Sequence, residues 1–154
     1  MTQVLRKQVM DKILTTIQTM TFATPINGQS SWQSVNKKLK LWADVPPDQQ
    51  PAAFLVTHKE IDDYVGLGLS RRRLELMIMC YSRSDNSIGQ DDLDIMMDSF
   101  ETSFGQNAVD NFSTNQNTLG GLVYWCRIEG KVFKDPGDID NQTLLFIPLV
   151  VEMP

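Results

Sequence analysis

Apolar positions recur at steps of three and four in two stretches of the chain and at steps of two in several others. Residues 3–22 place Leu5, Val9, Ile13, Ile17 and Met20 on one stripe, which predicts an amphipathic helix. The turn-rich run "TPINGQSSWQS" at 24–34 ends it. In the next run Val35, Leu39 and Leu41 alternate with Lys38, Lys40 and Trp42. That period of two predicts a strand, closed by Pro46 and Pro47. "AAFLVTH" at 52–58 predicts a second, short strand. "IDDYVGLGLSRRR" reads as a loop around Gly66 and Gly68. Its Tyr64, Val65, Leu67 and Leu69 give that loop apolar surface that has to pack against something. "RLELMIMCYSRS" at 73–84 predicts the strongest strand, with Leu74, Leu76, Ile78 and Cys80 on one face and Met77, Met79 and Tyr81 on the other. A second helix is predicted where Leu93, Met96, Met97, Phe100 and Phe104 keep helical spacing. Asp91, Asp92 and Asp94 enrich its first turns, where carboxylates suit the positive end of the helix dipole, and Gly105 supplies a stop. After a polar loop from Gln106 to Asn117, "LGGLVYWCRIEGKVFKD" and "NQTLLFIPLVVEM" predict two final strands. Pro148 lacks a backbone donor, which marks the last as an edge or bulged strand.

This order predicts a single α+β domain over residues 1–154. Its sheet is mixed and mostly antiparallel, of about five strands, with two main helices packed on one face. Five strands at about 4.8 Å spacing make a sheet roughly 24 Å wide. Two helices cover one face of it. The other face, expected to carry Trp42, Met77, Met79, Tyr81 and Trp125, has nothing in a monomer to cover it. Burial by another subunit is therefore expected.

Composition narrows the classes. Hydrophobic content of 42% and charged content of 21% suit an ordinary globular domain, and the net charge of -5 disfavours indiscriminate nucleic-acid binding. The apolar run Leu144 to Val151 includes Pro148 and falls far short of the roughly 20 residues a membrane helix needs. The start, "MTQVLRKQVMDKIL", is polar and amphipathic rather than signal-like. Cys80 and Cys126 fall in apolar strand-like runs and read as reduced core thiols of an intracellular chain.

Candidate chemistry is sparse. Asp135, Asp138 and Asp140 suggest a calcium loop, but counting from Asp138 puts Thr143 and Leu149 where such a loop needs glycine and glutamate. With Pro136-Gly137 inside it, the stretch reads as an acidic turn. His58 is the single histidine, and neither cysteine has zinc-site spacing. The glycine pairs at 66–68 and 120–121 lead into strands rather than helices, so they read as turns rather than phosphate loops. Arg71, Arg72 and Arg73 form a basic cluster, either solvated or docking on carboxylates. Asp91, Asp92, Asp94 and Asp98 of a second copy would supply those carboxylates in a head-to-tail contact, the kind that closes into rings. No catalytic set, metal site or cofactor pattern emerges.

An ordered set of short motifs goes further. "P-A-x-F" at 51–54 precedes the glycine-leucine loop, and a long apolar strand ends in "Y-x-R" at 81–83. An acidic helix follows, then "LGG-L-V", "I-E-G-K-V", an acidic "G-D-x-D-x-Q" turn and a final "I-P-L". Together these resemble the tail terminator (tail completion) proteins of long-tailed bacteriophages, over about two-thirds of the chain. "SRRR" at 70–73 departs from the proline-containing stretch of relatives. The resemblance implies a small α+β subunit forming a hexameric ring, a virion protein at the head-proximal end of the tail, assembled in the host cytoplasm. Such a ring caps the tail tube, ends tube polymerisation and joins the head–tail connector, while DNA only passes through its lumen. It uses no cofactor and does no bond chemistry. Tube contact would map to Tyr64, Val65, Leu67, Leu69 and Arg71 to Arg73. The alternatives are a head–tail connector or other minor tail protein and, from another class, a small cysteine-dependent enzyme using Cys80 or Cys126.

Overall fold

The computed structural model describes residues 3–66, 69–84, 87–105, 108–137 and 140–154. Helix α1 spans Arg6–Gln18, shorter at both ends than its apolar stripe. The Gln8 side chain accepts the Leu5 backbone N–H at 2.7 Å and so satisfies one donor ahead of the first turn. Helix α2 spans Gly89–Phe104 and stops at Gly105, whose N–H donates to the Glu101 carbonyl.

The strands are β1 Ser34–Asn36, β2 Ala52–Gly66, β3 Leu69–Arg83, β4 Trp125–Ile128, β5 Phe133–Asp135 and β6 Gln142–Met153. They form one sheet in the order β1-β2-β3-β6-β4, with β5 also paired to β6. Only β1 and β2 run parallel; all other pairs are antiparallel. The α+β class is as expected, with six strands rather than about five.

The inner face carries the main core. Ala53 and Leu55 of β2, Leu74, Leu76, Ile78 and Cys80 of β3, and Leu145, Ile147, Leu149 and Val151 of β6 are all buried there. Against them pack Val9, Ile13 and Ile17 of α1 and Leu93, Met96, Phe100 and Phe104 of α2. Both helices therefore lie on one face. Trp32, from the turn-rich connection, joins this core, its ring edge-to-face with Phe22 at 5.1 Å and tilted against Phe100 at 5.4 Å.

Four expectations change. The strand expected across 35–42 exists only at Ser34–Asn36. Lys37 leaves the ladder to pair with Asp11 of α1, and Trp42–Asp44 form a turn of 3-10 helix. The loop expected over 61–73 is instead the outer half of a long hairpin. β2 and β3 stay paired out to Gly66 and Leu69, with a one-residue bulge at His58. The strand expected over 119–135 is two strands, broken at Gly130, which sits at φ 123°.

The fourth change concerns Pro148. β6 is an interior strand, paired to β3 on one side and to β4 and β5 on the other. The Pro148 carbonyl accepts the Glu129 N–H at 3.3 Å. In an antiparallel strand a residue's donor and acceptor point the same way. The missing donor therefore faces the break between β4 and β5, and no bond to β3 is lost. A Cβ on Gly130 would stand 3.1 Å from the Pro148 ring, so glycine lets the chain cross close over the proline.

Candidate assembly surfaces

The outer face of the sheet is covered at one end only. Residues after the 3-10 turn fold back so that Val45 packs over Ala52, Phe54 and Tyr81. The segment is pinned by a pair of buried amides. Gln142 donates to Gln50 Oε1 at 3.1 Å and to the Ser82 carbonyl at 2.9 Å, while Gln50 donates to the Val45 carbonyl at 3.0 Å. This corrects the expectation of a wholly uncovered face. Tyr81 is buried under the segment, and Trp42 stands beside the sheet in the 3-10 turn.

Next to the covered end, Val56, Met77, Met79, Phe146 and Pro148 are only half-buried; Met79 and Phe146 border the Val45 cluster, and the chain at Gly130 passes close to Pro148. Phe133 is 53% exposed and stacks on Phe146 at 5.3 Å. This is a continuous apolar strip. Farther along the face Trp125 is buried between Arg127, 4.0 Å from its ring, and Arg73 at 5.3 Å.

The sequence-predicted contact residues separate into three groups. Arg71, Arg72 and Arg73 lie on β3 within the hairpin, and each already has a partner in the chain. Arg71 pairs with Glu152 at 3.1 Å and Arg73 lies 3.7 Å from the same carboxylate, while Arg72 donates to the Pro154 carbonyl at 2.9 Å. Arg71 stays more than half exposed. Tyr64 projects at 75% exposure near the hairpin tip. Val65 and Leu69 belong to β2 and β3, and Leu67 lies outside the described residues.

The acidic group divides. Asp91 and Asp94 are exposed on α2. Asp92 is buried, accepting from the Ser87 hydroxyl at 2.9 Å with the Ser82 hydroxyl at 3.5 Å. Burial pushes its carboxyl above the ordinary range, and the two serines pull part of the way back. Asp92 faces the core, so it is not an outward contact.

The acidic turn is built as a turn. Asp135 accepts the Gly137 N–H at 2.9 Å and Asp140 accepts the Gln142 N–H at 3.0 Å. Asp138 lies outside the described residues. Cys80 and Cys126 are free and buried, and burial pushes both thiols up, away from the thiolate that a nucleophile needs.

Two features escaped the sequence reading. In "LGG-L-V", Leu119, Gly120 and Gly121 all take positive φ. This turn wraps Asp110, which accepts from Thr118 N and Gly120 N at 2.7 Å and from the Thr118 hydroxyl at 2.8 Å. Burial alone would raise the Asp110 carboxyl, but these donors outweigh it and hold it below the ordinary range. The positively charged, partly apolar segment 37–42 was also missed as a surface, because its alternation imitates a half-buried strand. The signal available was three lysines beside two prolines, a poor composition for a paired strand.

A comparison with protein-family models and with curated proteins finds no match to this chain.

Proposed function

We propose that this chain is a structural subunit of a long-tailed bacteriophage tail, a tail terminator that assembles as a ring on the end of the tail tube. The ring stops tube growth and presents the surface that the head–tail connector meets. The observation that carries the reading is the half-covered outer sheet face, where Met77, Met79 and Phe146 are half-buried and Phe133, stacked on Phe146, is exposed, so that among the described residues the strip is only partly covered. A subunit buried among copies of itself needs such a face, and a freely diffusing enzyme does not. The motif order from Pro51 to Leu149 supplies the tail assignment. The buried, upward-shifted thiols favour this role over a cysteine-dependent enzyme.

Negative-stain imaging of purified protein mixed with tail tubes tests it. A ring on one end of each tube, with tube length no longer increasing, is expected. Tubes that stay bare and keep growing would overturn it.

A further inference from the structure

Charge is distributed unevenly along this chain. From residue 84 to residue 126 there is no lysine or arginine. All 14 basic residues lie outside that stretch, against 12 of the 19 acidic ones. The acidic stretch contains α2, whose Asp91, Asp94, Asp98 and Glu101 are all exposed. Their spacing of three, four and three residues puts them on one helix stripe. Among the described residues none of the four is in an ion pair; Asp94 only accepts from the Gln90 amide at 3.1 Å. At the start of this helix Ile88 is 67% exposed.

A run of lysines leaves the sheet at its β1 edge. The segment that leaves β1 reads "KKLKLW" over 37–42. Lys37 is paired with Asp11, whereas Lys38 and Lys40 are exposed and have no carboxylate partner among the described residues. Between them and beyond stand exposed apolar side chains, with Leu41 at 59% and Trp42 at 44% exposure. Arg71 to Arg73 already have partners in their own chain. Lys38 and Lys40 therefore offer positive charge that the arginine cluster does not. Lys12, Lys59, Lys131 and Lys134 are also exposed without an ion pair among the described residues, but Lys38 and Lys40 stand together in one run with exposed Leu39, Leu41 and Trp42.

The fold fixes where these two surfaces stand. β1 is one end of the sheet and β4 the other; α1 packs near β1 and β2, and α2 packs on β6 and β4. The basic segment starts at the β1 edge and ends with Trp42 beside Arg83, Asp140 and Gln142 at the ends of β3 and β6, leading into Val45 on the outer face, whereas α2 packs on the inner face. We infer that the segment Lys38 to Trp42 of one copy docks on the Asp94–Glu101 stripe of α2 in the next copy, with Leu41 and Trp42 supplying the apolar contact and Ile88 meeting them. Because the segment leads onto the outer face and α2 packs on the inner one, the contact is head-to-tail rather than a mutual one between the same surfaces of two copies. Each pair leaves one surface of either kind free, and a head-to-tail series of this kind closes into a ring when the rotation between copies closes, which is the outcome the ring assignment requires. This contact deepens the ring assignment above and rests on it.

A charge swap tests it. Two double variants are made, Lys38→Glu with Lys40→Glu, and Asp94→Lys with Asp98→Lys. All four residues are exposed, and unchanged circular dichroism and melting temperature confirm that each variant folds. Size-exclusion light scattering at about 0.1 M salt is expected to give a closed oligomer for the wild-type chain and the monomer mass for each variant alone. An equimolar mixture of the two variants should return to the wild-type oligomer mass, because the reversed charges again face each other. In 1 M salt, where charges are screened beyond about 3 Å, the oligomer should weaken. Tryptophan emission supplies a second readout. Trp32 and Trp125 are already buried, so a blue shift on assembly reports Trp42. A wild-type chain that stays monomeric, a variant that keeps the wild-type mass, a mixture that stays monomeric, or binding of an oligonucleotide by the Lys38–Trp42 segment in place of self-association would each overturn the contact. If the swapped mixture assembles but tubes stay uncapped, the contact stands and the tail-terminator role falls.

Discussion

Replacing Ile78 by aspartate probes the dry core where its cost can be worked out. Ile78 is fully buried at the centre of β3, opposite Leu55 of β2 and Ile147 of β6, on the face covered by both helices. Losing its burial costs about 1.5–3 kcal/mol. A carboxyl placed there has no water, so it stays protonated in the fold while the unfolded chain ionises near pH 3.9. Holding the proton at pH 7 costs about 1.4 kcal/mol for each pH unit above that value, or roughly 4 kcal/mol. At pH 4 the same cost falls to about 0.5 kcal/mol. The folded pKa is raised, so the loss grows as pH climbs through the window that starts near 4. Together with the burial lost, the penalty at pH 7 is comparable to the whole stability of a typical domain, about 5–15 kcal/mol. Ile78→Asn is the control, since it removes the same side chain and does not titrate. Urea unfolding followed by circular dichroism at pH 4 and pH 7 measures both. The aspartate variant should match the asparagine variant at pH 4 and fall about 4 kcal/mol below it, or fail to fold, at pH 7. Equal stabilities at both pH values would mean that the carboxylate reaches water and that Ile78 does not sit in a sealed core.

Four shorter predictions use other parts of the structure. Asp92→Asn should raise the melting temperature at pH 7 and leave it unchanged well below pH 4. The folded carboxyl is raised by burial, so the wild type loses stability as pH climbs through the window above its ordinary value; a drop at pH 7 would show that its hydrogen bonds and the helix dipole dominate instead. Asp110→Ala should speed hydrogen exchange at the Thr118 and Gly120 amides, and in the wild type the contribution of Asp110, present above its ordinary pKa, should be lost as pH falls through its depressed folded value. Unchanged exchange would mean the turn holds without that carboxylate. Cys80 and Cys126 should resist alkylation near neutral pH until the chain unfolds, and rapid labelling of the native protein would restore the nucleophile reading. Gly89→Ala should cost at least the 1–3 kcal/mol typical of overpacking, because the new Cβ would stand 1.8 Å from the Pro136 carbonyl; a melting temperature within a degree or two of wild type would refute that close approach.

The inner core could be read from sequence because period alone decides which residues face inwards. Val9, Ile13 and Ile17 on one helix, Leu93, Met96, Phe100 and Phe104 on the other, and Leu74 to Cys80 on β3 all lie where their spacing put them. What escaped the sequence depends on contacts distant along the chain. The alternation at 35–42 ends as a strand because Lys37 meets Asp11 of α1, a partner 26 residues away. The glycine-rich run at 64–70 looked like a loop, yet the ladder between β2 and β3 carries through it almost to the tip. Pro148 looked like an edge marker, and only the break at Gly130 shows why an interior strand can hold it. Asp92 and Asp94 are two residues apart on one helix, and the turn between them buries one and exposes the other.

The hairpin shows how a charge cluster changes meaning once its neighbours are known. From Thr57 to Tyr64, β2 is exposed, since β1 pairs with it only as far as Phe54. Such an edge invites pairing with other chains, and charged residues and a bulge discourage it. This edge has the bulge at His58 and carries Lys59, Glu60, Asp62 and Asp63. On the partner strand Arg72 and Arg71 stand opposite Asp62 and Asp63, and Arg6 of α1 holds Glu60 at 2.6 Å. Each exposed ion pair is worth about 0–1 kcal/mol, so the charges do not hold the hairpin together by themselves. The ladder to β6 does so as far as Arg72 and Met153, and beyond that point the ribbon is two-stranded and marginal in water. The arginines, tied to Glu152 and to the Pro154 carbonyl, brace the place where the third strand runs out. A cluster that brings its own counter-charges has little unpaired charge to offer a partner. Lys38 and Lys40, exposed and without an ion pair among the described residues, have charge to offer that the arginines do not.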